Sequence, residues 1–252
     1  MRKAVLIIII FFFALSSQTH AQDQMNAELI VKKAFDYWRG EASVSTSIMT
    51  IHRSDWERSM TIKAWTRGES DSLFIITKPA KDRGNGTLKT GNGMWMYNPK
   101  VNRVIKLPPS MMSQGWQGSD FSNNDLAKTD SLIKDYVHTL EDTKTDKGKK
   151  IYSITSIPKP DAPVIWGMIK LRIREDNILL SEEFFDEDFQ AVKIMTAWDI
   201  QKTRDKLFPM KWKMQKSDAI NEYTQFVYEK IAFKKKLNKN IFTQTNLKNS
   251  GL

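Results

Sequence analysis

Cysteine is absent from all 252 residues of the chain. That excludes disulfides, thiolate zinc sites, iron–sulfur clusters, a cysteine nucleophile and a lipidated N-terminal cysteine, so the chain is not itself a bacterial lipoprotein. Histidine is nearly absent too. His20, His52 and His138 stand apart, without the His-Glu-x-x-His spacing that puts two imidazoles on one helix face for zinc. A Gly-x-Ser-x-Gly elbow is missing, since Gly118-Ser119-Asp120 lacks the flanking glycine pattern. The glycines at 84, 86, 91 and 93 are not followed by Lys-Ser or Lys-Thr, so they read as turn residues and not as a phosphate loop. After the first fifteen residues no apolar run approaches the roughly 20 residues a membrane span needs.

What is present is an ordinary folding composition: 40% apolar, 27% charged, and 39 Lys+Arg against 29 Asp+Glu for a net charge of +10. Arg2 and Lys3 precede an unbroken apolar stretch from Ala4 to Leu15, and Thr19-His20-Ala21 offers small residues at the positions a signal peptidase reads. Residues 1–21 are therefore expected to be a cleaved secretory leader. Residues 22–252 are expected to form one exported domain of net charge +8.

The mature chain opens with a helix. Ala27, Ile30, Val31, Ala34, Phe35 and Trp38 fall on one face of a 3.6-residue period, and Gly40 can take the left-handed conformation that ends it. From Ser45 the period changes to two. Candidate strands are 45–53, 57–66, 72–77, 86–90, 94–97, 103–107, 134–143, 149–157, 167–175, 178–185, 191–200, 208–215 and 221–233. Short turns such as Asn98-Pro99-Lys100 and Asp146-Lys147-Gly148 separate them, which predicts an antiparallel meander curling into a barrel or sandwich. Pro108-Pro109 breaks the rhythm. The segment 110–129 is rich in Ser, Asn, Gly and Asp but holds Met111, Met112, Trp116 and Phe121, so it is expected to pack over an opening as short helices capped by Ser122 or Asn123.

Two late strands alternate cleanly. Ile169, Leu171 and Ile173 oppose Lys170, Arg172 and Arg174, and Phe208, Met210, Trp212 and Met214 oppose Lys211 and Lys213. One face is thus wet, which argues against a transmembrane barrel, where a mid-bilayer Lys or Arg costs about 2–4 kcal/mol. Met60, Ile62, Phe74, Trp95, Tyr97, Met210, Trp212 and Met214 give the other face a lining heavy in Met and Trp. Such a face fits either a filled core or a flexible apolar cavity, and periodicity does not separate the two.

Catalytic carboxylates do not converge. Glu182 and Glu183 are adjacent in a strand and point to opposite faces, and Asp186-Glu187-Asp188 is a hairpin tip. Two buried acids in one cleft would be needed to revive a hydrolase. Asp120, Asn123, Asn124 and Asp125 lack the spacing of a calcium loop and read as helix caps. No metal or cofactor is expected. The basic runs Lys234-Lys235-Lys236 and Lys147 with Lys149-Lys150 come without a nucleic-acid recognition element; they read as a solvated face, or as one attracted transiently to anionic membrane surfaces.

Pro79, Arg83-Gly84, Leu88, the run Met94 to Pro99, Arg103-Val104, Gly118-Ser119-Asp120-Phe121 and Asp125-Leu126 together resemble the signature of the outer-membrane lipoprotein-sorting proteins, the LolA-like group, in a less-characterised branch. Trp166-Gly167, Leu207-Phe208-Pro209 and Phe242-Thr243 extend the resemblance over nearly the whole mature chain. It implies a mainly β fold: a curved antiparallel half-barrel, LolA/LolB-like, covered by an N-terminal helix and short lid helices. It also implies a periplasmic, non-enzymatic carrier that takes an acylated lipoprotein or lipid cargo from an inner-membrane transporter to an outer-membrane acceptor. A sensor of lipid or lipoprotein that signals through a membrane partner is the alternative. On the carrier reading, Met60, Ile62, Phe74, Trp95, Tyr97, Met210, Trp212 and Met214 line the lipid cavity, and Met111, Met112, Trp116 and Phe121 form the lid. The best-known carriers of the group lock their lid with an arginine; here the sequence departs from that pattern, and the resemblance does not place such a residue on Arg53, Arg58 or Arg67.

Overall fold

A computed structural model describes residues 26–127, 131–204 and 206–249. The expected leader lies outside the described residues. Helix α1 spans residues 26–39 and buries Ala27, Val31 and Ala34 completely, as the apolar stripe requires. It stops at Gly40, whose φ is +63° and whose N–H donates to the Asp36 carbonyl at 2.8 Å.

Thirteen strands follow: β1 (Ala42–His52), β2 (Glu57–Arg67), β3 (Asp71–Lys78), β4 (Gly86–Thr90), β5 (Gly93–Asn98), β6 (Arg103–Lys106), β7 (Tyr136–Asp146), β8 (Lys149–Pro158), β9 (Met168–Arg174), β10 (Leu179–Phe185), β11 (Ala191–Lys202), β12 (Leu207–Lys216) and β13 (Tyr223–Lys234). They form one antiparallel sheet in the order β6-β5-β4-β3-β2-β1-β13-β12-β11-β10-β9-β8-β7. Consecutive strands are neighbours, as short turns dictate, except β6 and β7, which lie at opposite edges. The pairing of β1 with β13 joins two meanders from Ala42↔Lys234 to His52↔Tyr223 with an irregularity at Thr46/Ser47. Bulges of this kind raise the local twist and bend. The sheet curves into an open half-barrel with β6 and β7 as its two free edges.

Because the chain leaves the sheet at β6 and re-enters at β7, residues 107–135 must travel from one edge to the other. The described parts of this connection, 107–127 and 131–135, lie on the concave side and form 3-10 turns at Pro109–Met111 and Trp116–Gly118, helix α2 (Asn123–Ala127) and helix α3 (Ser131–Asp135). Ser122 caps α2: its Oγ accepts from Asp125 N–H at 3.2 Å while the Asp125 carboxylate accepts from Ser122 N–H at 2.7 Å.

The convex side is covered over β2–β6 by the C-terminal segment, which ends in helix α4 (Gln244–Asn249). Phe242 and Leu247 are buried there against Leu73, Ile75, Leu88 and Tyr97. Burying one such side chain is worth about 1.5–3 kcal/mol. Gly86 in β4 makes the seat possible, because a Cβ there would lie 2.6 Å from Leu247 Cδ1 and 2.9 Å from Ile75 Cδ1. Gly86→Val is expected to lower stability by about 1–3 kcal/mol through overpacking, read as a lower urea midpoint; an unchanged midpoint would show that the segment is not seated in solution.

Candidate functional site

The concave side divides into a filled half and a hollow half. In the filled half Met49, Ile51, Met60, Ile62, Ile76 and Met94 are buried with Leu107 and Trp116. Trp116 is 2% exposed, donates its indole N–H to Thr87 Oγ1 at 2.9 Å and lies 5.5 Å from the Phe74 ring. It is a plug, satisfied at its polar edge and packed on its faces.

The hollow half lies between α1, strands β1–β3 and β9–β13, the loop at 164–166 and the cover. It holds a partly open cavity of about 250 Å³. Phe35 and Trp38 of α1, Phe184, Phe208, Trp212 and Met214 of the sheet, Trp166 of the loop, and Phe121 and Leu126 of the cover give it an apolar wall. Aromatic pairs hold that wall: Trp38 to Trp212 at 5.8 Å, Phe121 to Phe226 at 5.1 Å and Trp166 to Phe184 at 5.2 Å. A dry cavity of about 150 Å³ already admits benzene, whereas pockets for larger ligands run from about 300 to 1,000 Å³. A long acyl chain thus requires the cover to move.

Besides an exposed pair of Lys134 with Glu69 at 3.2 Å, two largely buried ionic contacts tie the cover to the sheet. At one side, Arg53 grips Asp120 with both terminal nitrogens, Nη2 to Oδ1 at 2.9 Å and Nη1 to Oδ2 at 3.1 Å. Thr224 Oγ1 donates to Asp120 Oδ2 at 2.7 Å and accepts from Asp120 N–H at 3.0 Å. A bidentate fork of this kind, with the acid 3% exposed at its side chain, is strong and directional. Arg58 pairs with Asp82 at 3.1 Å and Arg67 with Asp71, so of the three arginines it is Arg53 that holds a carboxylate of the cover.

At the other side, Lys193 of β11 meets Asp125 of α2 at 2.5 Å, with its ammonium 5.1 Å from both the Trp166 and Phe184 ring centres. Glu182 lines the cavity nearby. Burial pushes its carboxyl up to about 8; the Asp125 carboxylate adds to the rise and Lys193 opposes it. Two acids therefore share this cleft, the arrangement a hydrolase would need. Asp125 Oδ2, however, already accepts from Ser122 N–H and Lys193 Nζ, which makes it a fastening of the cover.

Of the residues expected in the cavity, Phe74, Trp212 and Met214 line it, and Phe121 lines it from the cover. Met60 and Ile62 are instead buried in the filled half under Trp116, with Met112 packed beside them. Met210 packs at the margin of the core that includes Trp212. Met111 is partly exposed, its carbonyl accepting from Asn123 Nδ2 at 2.9 Å. Trp95 and Tyr97 correct the expectation: they face the convex side with Phe242 and Leu247, and the concave residues of β5 are Met94 and Met96. Both faces of β5 are covered, so alternation alone could not say which was which. The sequence reading missed Glu182, Lys193 and the sheet partners of Asp120 and Asp125. The pairing of Phe184 with Lys193 and of Glu182 with Met195 is what turns Glu182 and Lys193 to one face.

His138 is buried with Nδ1 2.8 Å from Ser156 Oγ, and burial pulls its imidazole down to about 4, so it is a neutral core residue. His52 stacks on Tyr223 at 4.9 Å. Among the described residues no group of three or more His, Asp or Glu is placed to hold a metal.

The model of an uncharacterized-protein-like family matches residues 68–249. Among solved structures, a DUF1329 family protein from Desulfovibrio piger is similar at 18% identity, with 89% of this chain and 99% of that chain covered and a TM-score of 0.80. A putative outer membrane lipoprotein-sorting protein domain from Vibrio parahaemolyticus gives 18% identity, 89% and 99% coverage and 0.77. A LolA superfamily protein from Nitrosomonas europaea gives 20%, 87% and 98%, and 0.71. At these identities the likeness is one of fold, the LolA-like open half-barrel. No curated protein sequence matches the chain.

Removing one partner of a buried pair costs about 3–5 kcal/mol. Asp120→Ala is therefore expected to speed hydrogen exchange at cover amides such as Trp116 N–H and Asn123 N–H by roughly a hundredfold to a few thousandfold, while β12 and β13 exchange as before. Unchanged exchange in the cover would mean that apolar packing alone holds it.

Proposed function

The chain belongs to the uncharacterized protein family matched over residues 68–249, a LolA-like family, and from that premise we propose that it is a periplasmic carrier of acylated cargo. The observation that carries the reading is the apolar cavity roofed by a segment that the topology places over it and two ion pairs fasten down. Each acyl CH₂ left in water costs about 0.8 kcal/mol, so an unshielded 16-carbon chain would cost roughly 12 kcal/mol. A soluble carrier must therefore offer a dry lining and a removable cover.

In this reading the cargo is a lipoprotein or lipid. It is received at the inner membrane from a transporter and released to an acceptor at the outer membrane. Opening breaks the Arg53–Asp120 fork and the Lys193–Asp125 pair, and exposes Phe121 and Leu126 together with the wall they cover. Ionic fastenings suit the task, since their strength rises in a dry site and falls once water enters. The carrier makes and breaks no covalent bond.

Native mass spectrometry of protein purified from the periplasm is expected to show co-purified acyl species. Ala64 of β2 lines the cavity and is 7% exposed. Ala64→Trp, which fills that space, is expected to reduce the co-purified lipid at least about tenfold while the circular dichroism stays β-rich. Equal lipid loading in the two proteins, or none in the wild type, would argue against a carrier that uses this cavity.

A further inference from the structure

Lys193 is 5% exposed and Glu182 9%, and the register of β10 with β11 puts both on the concave face. The groups around the Lys193 ammonium are Asp125, Trp166 and Phe184, all three of which line the cavity. A buried ammonium has to keep a counter-ion. Its carboxylate in the closed protein belongs to the cover, the very segment that cargo must displace. We infer that Lys193 is the anchor for an anionic headgroup of the cargo, a carboxylate or a phosphate, which takes the place of Asp125 as α2 lifts away.

The inference rests on the carrier reading and names the chemistry of the ligand's polar end. Glu182 is the competing counter-ion. Its neighbours are Leu171 on β9, Met195 on β11, the Tyr136 phenol on β7, and the charged pair of Asp125 and Lys193. A cavity filled with acyl chain is as dry as the closed one, so burial, the main cause that keeps Glu182 protonated, persists after the cover has moved. A protonated Glu182 donates a hydrogen bond to the arriving oxyanion. As the pH rises through about 8 it ionises, competes for Lys193 and repels the headgroup. The preference for an anion is thus full below that range and lost above it.

The test is displacement of a neutral fluorescent probe by laurate, dodecyl phosphate and dodecanol, which share one chain length and differ in headgroup. At neutral pH laurate, dodecyl phosphate or both are expected to bind about tenfold or more tighter than dodecanol; which of them does so identifies carboxylate or phosphate as the natural chemistry. Lys193→Met is expected to abolish the difference. Asp125→Asn keeps an acceptor for the Ser122 N–H and is expected to raise affinity for the favoured anion several-fold, so the inference stays testable if Lys193→Met fails to fold. At about pH 9.5 the preference is expected to fade in the wild type and persist in Glu182→Gln. If all three amphiphiles bind equally to the wild type, or Asp125→Asn weakens the anion, this inference is overturned and the carrier reading stands. If none binds, both fall together.

Discussion

The antiparallel pairing of β1 with β13 is the constraint from which the rest of the molecule follows. Joined there, two meanders run outward in opposite directions, and the free edges of the sheet are the middle of the chain, β6 and β7. The connection between them has to bridge the mouth of the half-barrel. A cover is therefore a topological consequence of the fold, and its sequence decides only what it seals and how firmly.

That division of labour is visible in the packing. Under β1–β5 the cover contributes Trp116 as a filling, buried among Met49, Met60, Ile62 and Met94 with its indole N–H satisfied. Beyond it the cover contributes Phe121 and Leu126, which touch the opposite wall without filling the hollow. Its firm attachments on this side are charged: Asp120 into the Arg53 fork and Asp125 onto Lys193. An apolar seal that is weak by incompleteness, held by ionic contacts that are strong only while dry, gives a lid that holds until a ligand replaces what it leaves behind.

Much of the architecture could be read from residue order alone. Period-two alternation and turn residues located every strand to within a few residues, most plainly where one face is wet, as with Ile169, Leu171 and Ile173 against Lys170 and Arg172. Gly40 marked the end of α1, and the large apolar residues at 111–121 marked a segment that packs. Reading failed where both faces are covered. Trp95 and Tyr97 were assigned to the wrong side because the C-terminal segment that buries them lies some 145 residues away in sequence. The charged fastenings were invisible for the same reason. Asp120 and Asp125 look like ordinary helix caps until strand register brings Thr224 and Lys193 to meet them, and adjacency puts Glu182 and Glu183 on opposite faces without telling which one faces the cavity.

The central claim is that the hollow beside Trp212 shelters an acyl chain once the cover moves. Crystals grown with a fatty acid brominated at its terminal carbon test it directly, since bromine scatters anomalously and reports where the chain ends. The account predicts an anomalous peak enclosed between α1, Trp212 and Phe226, with α2 displaced from Lys193. Peaks confined to the outer surface, with the Arg53–Asp120 and Lys193–Asp125 contacts intact, would contradict it.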